Sequence, residues 1–295
     1  MNDPSVTIIV LNWNGKDLTL ECLDSLYKVN YSNYNILVVD NKSSDGSVES
    51  FHKQYPNISV LELDKNYGYA EGNNRGFKFL NNDKPDYVIF LNNDTIVDKD
   101  FINPLISPLI SNKNIHQTAP KIYYQNNKEL IWYAGGNVNL WTGGVSHRGI
   151  RQYDKDKFNI EGKTEYATGC CFSMRYEDFK EIGGFDQNFP MYSEDVDLSL
   201  SIRKKNYVVW YAPDSIIWHK VSASIGGSFS FSKNKRKFVS LFLLFRKHAN
   251  LLPDPELGFG GTHPWFPTCY RPPFRPTQKF TINNRPVDTP TGISL

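Results

Sequence analysis

The chain has 295 residues, 40% of them hydrophobic, which suffices for one large α/β domain or for one domain with an appendage and excludes a disordered chain. Its formal net charge is +2, with 33 Lys and Arg set against 31 Asp and Glu along the whole length. No electrostatic footprint for DNA or RNA is present, so nucleic acid is set aside as a partner.

The first half alternates two kinds of segment. Apolar runs rich in Val and Ile stand at "VTIIVLNW" (6 to 13), "YNILVVD" (34 to 40), "ISVLEL" (58 to 63) and "YVIFLN" (87 to 92). Runs this short and this apolar predict strands buried on both faces. Between the first two, "KDLTLECLDSLYK" sets Leu18, Cys22, Leu23 and Leu26 on one helical face, and "AEGNNRGFKFLNN" predicts a further helix. Such alternation means a parallel sheet with helical crossovers. After residue 115 the order becomes "IHQTAPKIYY", a Gly-rich aromatic stretch "WYAGGNVNLWTGGVSHRG", a strand "YATGCCFSM", a helix from near Tyr176 and a second helix "EDVDLSLSIRKKN". "YVVWYAPDSIIWH" then reads as two short strands broken at Pro213. This half is expected to form a mixed sheet extension that faces an acceptor.

Open parallel sheets gather ligands at the carboxyl ends of their strands. Here those ends are polar: Asn12, Trp13, Asn14 and Gly15, then Asp40 with "NKSSDGS", then "DKNYGYAEGNNRG", then Asn92, Asn93 and Asp94. Each has a plainer reading. Asp40, Asn41, Ser43, Ser44 and Asp45 suit a turn and a helix cap, Gly68, Gly72 and Gly76 suit turns, and Asn-Asn-Asp is a common turn as well. Their recurrence on successive strand ends favours one shared site. Ser193 ahead of Glu194 and Asp195 predicts a helix N-cap with both acids in the first turn, where the helix dipole favours negative charge.

The stretches "VTIIVLNWNG", "ILVVDNKSSDGS", "NYGYAEGNNRG", "YVIFLNNDT", "ATGCCFSMRYEDFKEIGGFDQNFPMYSEDVDLSLSIRKKNY" and "WHKVSAS", spanning roughly residues 5 to 225, resemble in order and spacing the family 2 inverting glycosyltransferases, and among them the rhamnosyltransferase-like branch. The resemblance implies an α/β GT-A fold: a Rossmann-like, mainly parallel central sheet flanked by helices, with a mixed acceptor-side extension. The catalytic domain would be residues 1–225, with a nucleotide-sugar half at 1–114 and an acceptor-side half at 115–225. It implies a UDP- or dTDP-sugar donor, contacted by Asn12, Asn14, Asp40, Asn41, Asn66, Gly68, Asn73, Asn93 and Asp94, with the Asp40 carboxylate accepting the base's imide N–H.

Asp94 falls at the last position of the family's Asp-x-Asp metal motif, here reduced to Asn92-Asn93-Asp94. With one anionic ligand fewer, Mg²⁺ or Mn²⁺ would lean on Asp94, the diphosphate and water. His219 falls where the family places a histidine near metal and diphosphate; its plainer reading is a core histidine at a strand end. Asp195 would be the base that deprotonates a hydroxyl of a glycan or lipid-linked acceptor, and Glu194 would orient that acceptor. Asp197 reads as a solvated helix residue or a positioner of its neighbours. Trp132, Trp141 and Tyr192 read either as faces for acceptor sugar or as buried aromatics.

Residues 226–251 contain "KRKFVSLFLLFRKH", a basic and apolar helix with two readings: one lying on an anionic membrane, one packed on the catalytic domain. Residues 252–295 hold nine of the seventeen prolines, which predicts an irregular tail. Four cysteines without Cys-x-x-Cys spacing, no basic leader and no apolar run of membrane-spanning length give a cytoplasmic expectation, at the inner face of the plasma membrane under the first reading of the helix. Two rival readings fit the sequence less well. A dinucleotide oxidoreductase lacks its Gly-x-Gly-x-x-Gly after the first strand. A non-catalytic nucleotide-sugar or glycan binding module is disfavoured by Asp94, Asp195 and His219 occurring together.

Overall fold

Strand β1 (Val6–Asn12) is apolar at nearly every position because it lies inside the sheet, with Val6, Ile8, Ile9 and Val10 at most 1% exposed. The structure, a computed structural model, describes residues 3–140, 144–189, 192–221 and 231–248, with side chains from 239 onward in the last segment. Trp141 and the tail 252–295 lie outside the described residues. On one side β1 pairs in parallel with β2 (Tyr34–Asp40), which pairs with β3 (Ser59–Glu62); on the other it pairs in parallel with β4 (Tyr87–Asn92). The crossovers are α1 (Lys16–Leu26), α2 (Ser47–Gln54) and α3 (Gly68–Phe79). Contrary to expectation β3 is not buried on both faces: it is the sheet edge, and Ser59 and Glu62 face solvent.

Of the three glycines read as turn residues, only Gly68, at φ +76°, opens a turn. Gly72 and Gly76 let α3 lie against the sheet. A Cβ on Gly72 would stand 2.7 Å from Leu11 Cδ1, and one on Gly76 2.6 Å from Val39 Cγ2.

Beyond β4 a turn at Asn93 and Asp94 leads to β5 (Thr95–Val97), then α4 (Ile102–Ser111), β6 (Ile115–Tyr124) and β7 (Asn127–Tyr133). The Gly-rich aromatic stretch forms the hairpin β8 (Gly136–Asn139) and β9 (Gly144–His147). A two-residue β10 (Gly162–Lys163) precedes β11 (Cys171–Arg175), α5 (Tyr176–Ile182), α6 (Glu194–Lys204), β12 (Val208–His219) and α7 (Phe231–His248). The main sheet runs β10-β12-β6-β11-β4-β1-β2-β3, with β5 on β12 and β7 on β6. Strands β4, β1, β2 and β3 are its parallel part. The antiparallel pairing of β11 with β4 and β6 begins the mixed part. An aromatic cluster joins the layers: Phe90 stacks on Phe172 with centroids 4.9 Å apart and meets Phe179 at 4.6 Å, while Phe77 of α3 meets Phe179 at 4.7 Å.

The break predicted at Pro213 is instead a register shift inside one strand. β12 runs unbroken from Val208 to His219 beside β6, with the irregularity between Ala212 and Ile216. Proline has no N–H to give a ladder, and a bulge is where a strand tolerates that loss.

α7 packs on α6, and its Ser240, Leu244 and His248 are buried. Its end reaches Asp197: Lys247 Nζ lies 2.8 Å from Oδ2 and His248 Nε2 2.7 Å from Oδ1. The solvated reading of Asp197 is thereby corrected, since its side chain is 2% exposed and doubly paired.

Candidate functional site

The polar strand ends meet through one amide. Asn12, with no exposed surface, donates from Nδ2 to Asp40 Oδ1 at 2.8 Å and to Ser43 Oγ at 3.0 Å; its Oδ1 accepts from Thr19 Oγ1 at 2.8 Å and from Asn93 Nδ2 at 3.2 Å. Every bond that amide can make is thus spent inside the protein. Asn41 ties the end of β2 to the start of α3, accepting from Tyr67 N and donating to Gly68 O, and Asn73 donates to Tyr69 O. Asn12, Asn41 and Asn73 are each at most 2% exposed, and in this conformation their amides frame the site from within. Asp40 is also 2% exposed, its Oδ2 taking Ser43 N–H at 2.8 Å, so the turn reading of this carboxylate holds in this conformation.

Asn14 and Asn66 stand at the surface, accepting from Ser44 N–H and Gly68 N–H, and Asn93 is half-buried with Nδ2 shared between Asn12 and Thr19 Oγ1. Trp13, 57% exposed at the end of β1, is an open aromatic face, a strand-end residue to which the sequence assigned no role of its own.

Asp94 occupies the turn between β4 and β5. Because β5 pairs with β12, His219 lies opposite Thr95, and His219 Nε2 comes 3.1 Å from Asp94 Oδ2. The other atoms of this pair, Asp94 Oδ1 and His219 Nδ1, are buried without a partner. The unpartnered Asp94 Oδ1, with the imidazole Nε2 that faces the same carboxylate, fits a divalent cation as a donor set, the imidazole favouring Mn²⁺ over Mg²⁺. Among the described residues no group of three His, Cys, Asp or Glu could hold a metal alone, so water or substrate oxygen must complete the shell.

Trp132 is not a free stacking face. Two imidazoles meet its ring edge-on, His219 at 4.5 Å and His147 at 4.3 Å. His147, unforeseen in the sequence, donates from Nδ1 to Trp132 O at 3.1 Å, and burial pushes its pKa down to about 4. It is therefore neutral, with the lone pair on Nε2.

The second pair of acids stands across one short segment. Asn92 N donates to Cys170 O at 2.9 Å, and the preceding Gly169 N donates to Asp195 Oδ2 at 2.8 Å. Gly169 O in turn accepts from Tyr69 O–H at 2.6 Å. Asp195 Oδ1 takes Val196 N–H at 2.8 Å. Glu194 Oε2 is buried without a partner, and burial followed by the charge of Asp195 raises the Glu194 pKa to about 8. Burial also raises Asp195, against the two amides that favour its ionised form.

Ser193 precedes α6 as predicted but does not cap it with its side chain. Its φ is +67°, Tyr192 before it has φ +72°, and only the Ser193 carbonyl engages the helix, accepting from Asp197 N at 2.8 Å. Two successive non-glycine residues in the left-handed region are strain placed beside the acids.

Residues 7–183 match the family model described as glycosyl transferase family 2. An N-acetylglucosaminyl-diphospho-decaprenol L-rhamnosyltransferase of Mycobacterium tuberculosis is 26% identical over 65% of this chain and 68% of its own length. The O-antigen biosynthesis protein RfbC of Myxococcus xanthus is 27% identical over 75% of this chain but only 18% of its own, and a poly-beta-1,6-N-acetyl-D-glucosamine synthase of Staphylococcus epidermidis 21% identical over 75% and 51%. Among solved structures, GalNAc-T7 with UDP, GalNAc and Mn²⁺ superposes with TM-score 0.63 at 16% identity, over 77% of this chain and 46% of that one. The mannosyltransferase PcManGT of Pyrobaculum calidifontis, with GDP-Man and Mn²⁺, gives TM-score 0.59 at 16% identity over 86% and 68%. Those likenesses give the fold as GT-A.

Proposed function

This chain belongs to glycosyl transferase family 2, and from that premise we propose that it moves a sugar, rhamnose in the first instance, from a UDP- or dTDP-sugar to a hydroxyl of a glycan or lipid-linked acceptor by direct displacement with inversion. The observation that carries the reading is the Gly169–Cys170 segment, which the end of β4 grips from one side and Asp195 from the other. On this reading the segment lies between a cation-type pair, Asp94 and His219, and an acid pair, Glu194 and Asp195, which would share one reaction space. The Mycobacterium relative, whose name specifies rhamnosyl transfer and a lipid-diphosphate sugar, supports the choice of sugar and acceptor. The Staphylococcus relative keeps N-acetylglucosamine as the second sugar to try.

Asp94 and His219 would hold Mg²⁺ or Mn²⁺, which when bound offsets charge on the departing diphosphate. The chain's own acids divide the remaining work. The two amides at Asp195 favour its ionised form, whereas Glu194, at about 8, keeps its proton near neutral pH. The pair then carries one charge, on Asp195, where a carboxylate oxygen takes the acceptor's proton as its oxygen attacks the anomeric carbon. Protonated Glu194 can donate a hydrogen bond that orients that hydroxyl. Asn14, Asn66, Gly68 and Asn93 form the rim open to the donor, and Trp13 adds an exposed ring to it. Asp40 receives the base only if Ser43 and the β2 turn shift, since its carboxylate is 2% exposed beneath the contacts from Asn12 and Ser43.

The test is a screen of UDP-, dTDP- and GDP-sugars with Mn²⁺, read by calorimetry and by slow donor hydrolysis. A dTDP- or UDP-sugar that binds and is turned over meets the proposal. A folded chain that binds none of them would overturn it.

A further inference from the structure

Between Ser215 and Pro253 the sequence contains seven Lys or Arg and no Asp or Glu, although the whole chain nets only +2. Lys220 pairs with Glu21 and Lys247 with Asp186 and Asp197, which leaves Lys233, Lys235, Arg236, Lys237 and Arg246 as the basic run. α7 spans that run and has one buried face and one exposed apolar face. Ser240, Leu244 and His248 recur every fourth residue and are buried. Val239, Phe242 and Phe245 recur every third residue and are 39%, 57% and 46% exposed. At about 100° per residue the exposed three share an arc turned away from the buried three, and Arg246, also exposed, falls within it. A helix fastened to its own protein by one stripe has no structural need of a second. Two half-exposed phenylalanines beside a cationic run mark an interaction surface.

We propose that this outer face of α7 docks the protein on an anionic lipid bilayer, with Phe242 and Phe245 entering the headgroup boundary and the basic run held by the negative surface potential. An amphipathic helix with aromatic residues on one side and Lys and Arg flanking it has the composition of an interfacial helix. A second copy of this chain is the poorer occupant, because it would bring two like-charged runs together. Crossing the bilayer does not enter: among the described residues no helix is long and apolar enough. The inner face supplies the mechanical link. Lys247 and His248 hold Asp197, one half-turn beyond Asp195 on α6, so a bilayer that binds α7 also holds the helix bearing the candidate acids.

The experiment uses the full chain and needs neither donor nor acceptor, so its outcome is independent of the transfer reaction. The protein is sedimented with vesicles of phosphatidylcholine alone and of phosphatidylcholine mixed with phosphatidylglycerol, at low and high salt. Binding is expected to the anionic vesicles only and to fall with salt. Phe242→Ser combined with Phe245→Ser should lower partition at least about tenfold, given the transfer value of an aromatic side chain. Arg246→Glu should lower it roughly fivefold or more. Both variants should melt like the parent, because the altered side chains are exposed. Equal binding to neutral vesicles, no binding to either, or parental binding by both variants would overturn the proposal. So would a parent dimer that the double Phe variant converts to monomer, since that would assign the face to a second copy.

Discussion

Replacing Asp195 with Asn separates a base from a structural acid, and the structure sets the size of each effect. Asp195 accepts one amide on each oxygen, from Gly169 and Val196, both at 2.8 Å. Asn keeps one acceptor oxygen and turns an NH₂ toward the other amide, so donor faces donor. Losing that bond and leaving a buried N–H unmet costs on the order of 1–3 kcal/mol, or roughly 2–12 °C in Tm for a domain of this size. Loss of a positioned base should in addition lower turnover per folded molecule by roughly 10² to 10⁴ fold.

Glu194→Gln is the paired control. Burial raises the Glu194 pKa from 4.5 to about 8, so near pH 7 it is already neutral and Gln reproduces its charge. Turnover should change by less than about tenfold there, below the span for a catalytic base. The pH dependence has a definite sign. A raised carboxyl pKa contributes stability fully present below 4.5 and lost as pH rises through about 8, so the parent should weaken across that window more than the Gln variant, in which only Asp195 of the pair still titrates. Melting curves from pH 5 to 9, in steps of about one unit of the linkage scale, and turnover well below both melting temperatures read the two effects on one preparation. Near-parental turnover in Asp195→Asn, or greater damage at pH 7 from Glu194→Gln, would remove Asp195 as the base.

Asp94→Asn should weaken Mn²⁺-dependent nucleotide binding by at least roughly 10- to 100-fold, the range for groups one shell further from a metal; calorimetry with UDP and dTDP, with and without Mn²⁺, decides, and unchanged binding strikes Asp94 from the metal site. His248→Ala removes one of the two partners of buried Asp197, so thermal melts should show a loss approaching the roughly 3–5 kcal/mol of a broken buried pair, and an unchanged melt would show that Lys247 alone suffices. Gly76→Ala places a methyl 2.6 Å from Val39 Cγ2 and should cost roughly 1–3 kcal/mol in urea unfolding; a neutral outcome would mean that α3 can lift off the sheet freely.

The parts of this fold legible in the sequence are those where one physical demand fixes several neighbouring residues. β1, β2 and β4 are covered by helices, so their apolar runs announce them, and their polar ends mark where the cover stops. β8 and β9 were hidden because a short hairpin with exposed positions asks little of its side chains. Pro213 reads as a break in the sequence because proline lacks the ladder N–H, whereas a bulge in β12 accommodates it. In the site, Asp94 and His219 stood out by motif, and their adjacency is a product of β5–β12 pairing. Asn12 carried no signal that separates a ligand contact from a framework tie, because an amide suits both. His147 lay in no motif, and the partners of Asp197 lie 50 and 51 residues away, beyond any local pattern.

The tie between α7 and α6 also bears on where the chain can be cut. The family match stops at residue 183, ahead of Glu194, Asp195 and all of β12, so a fragment designed on that match would lose both candidate acids and the strand that carries His219. A more generous cut, at residue 230, would keep the acids but take from the Asp197 carboxylate both of its partners, Lys247 and His248, together with the helix that carries them. Soluble yield against the position of the C-terminus should therefore rise steeply once His248 is included. The boundary of what folds is set by a buried charge and its partners, some 65 residues beyond the boundary of what the family pattern recognises.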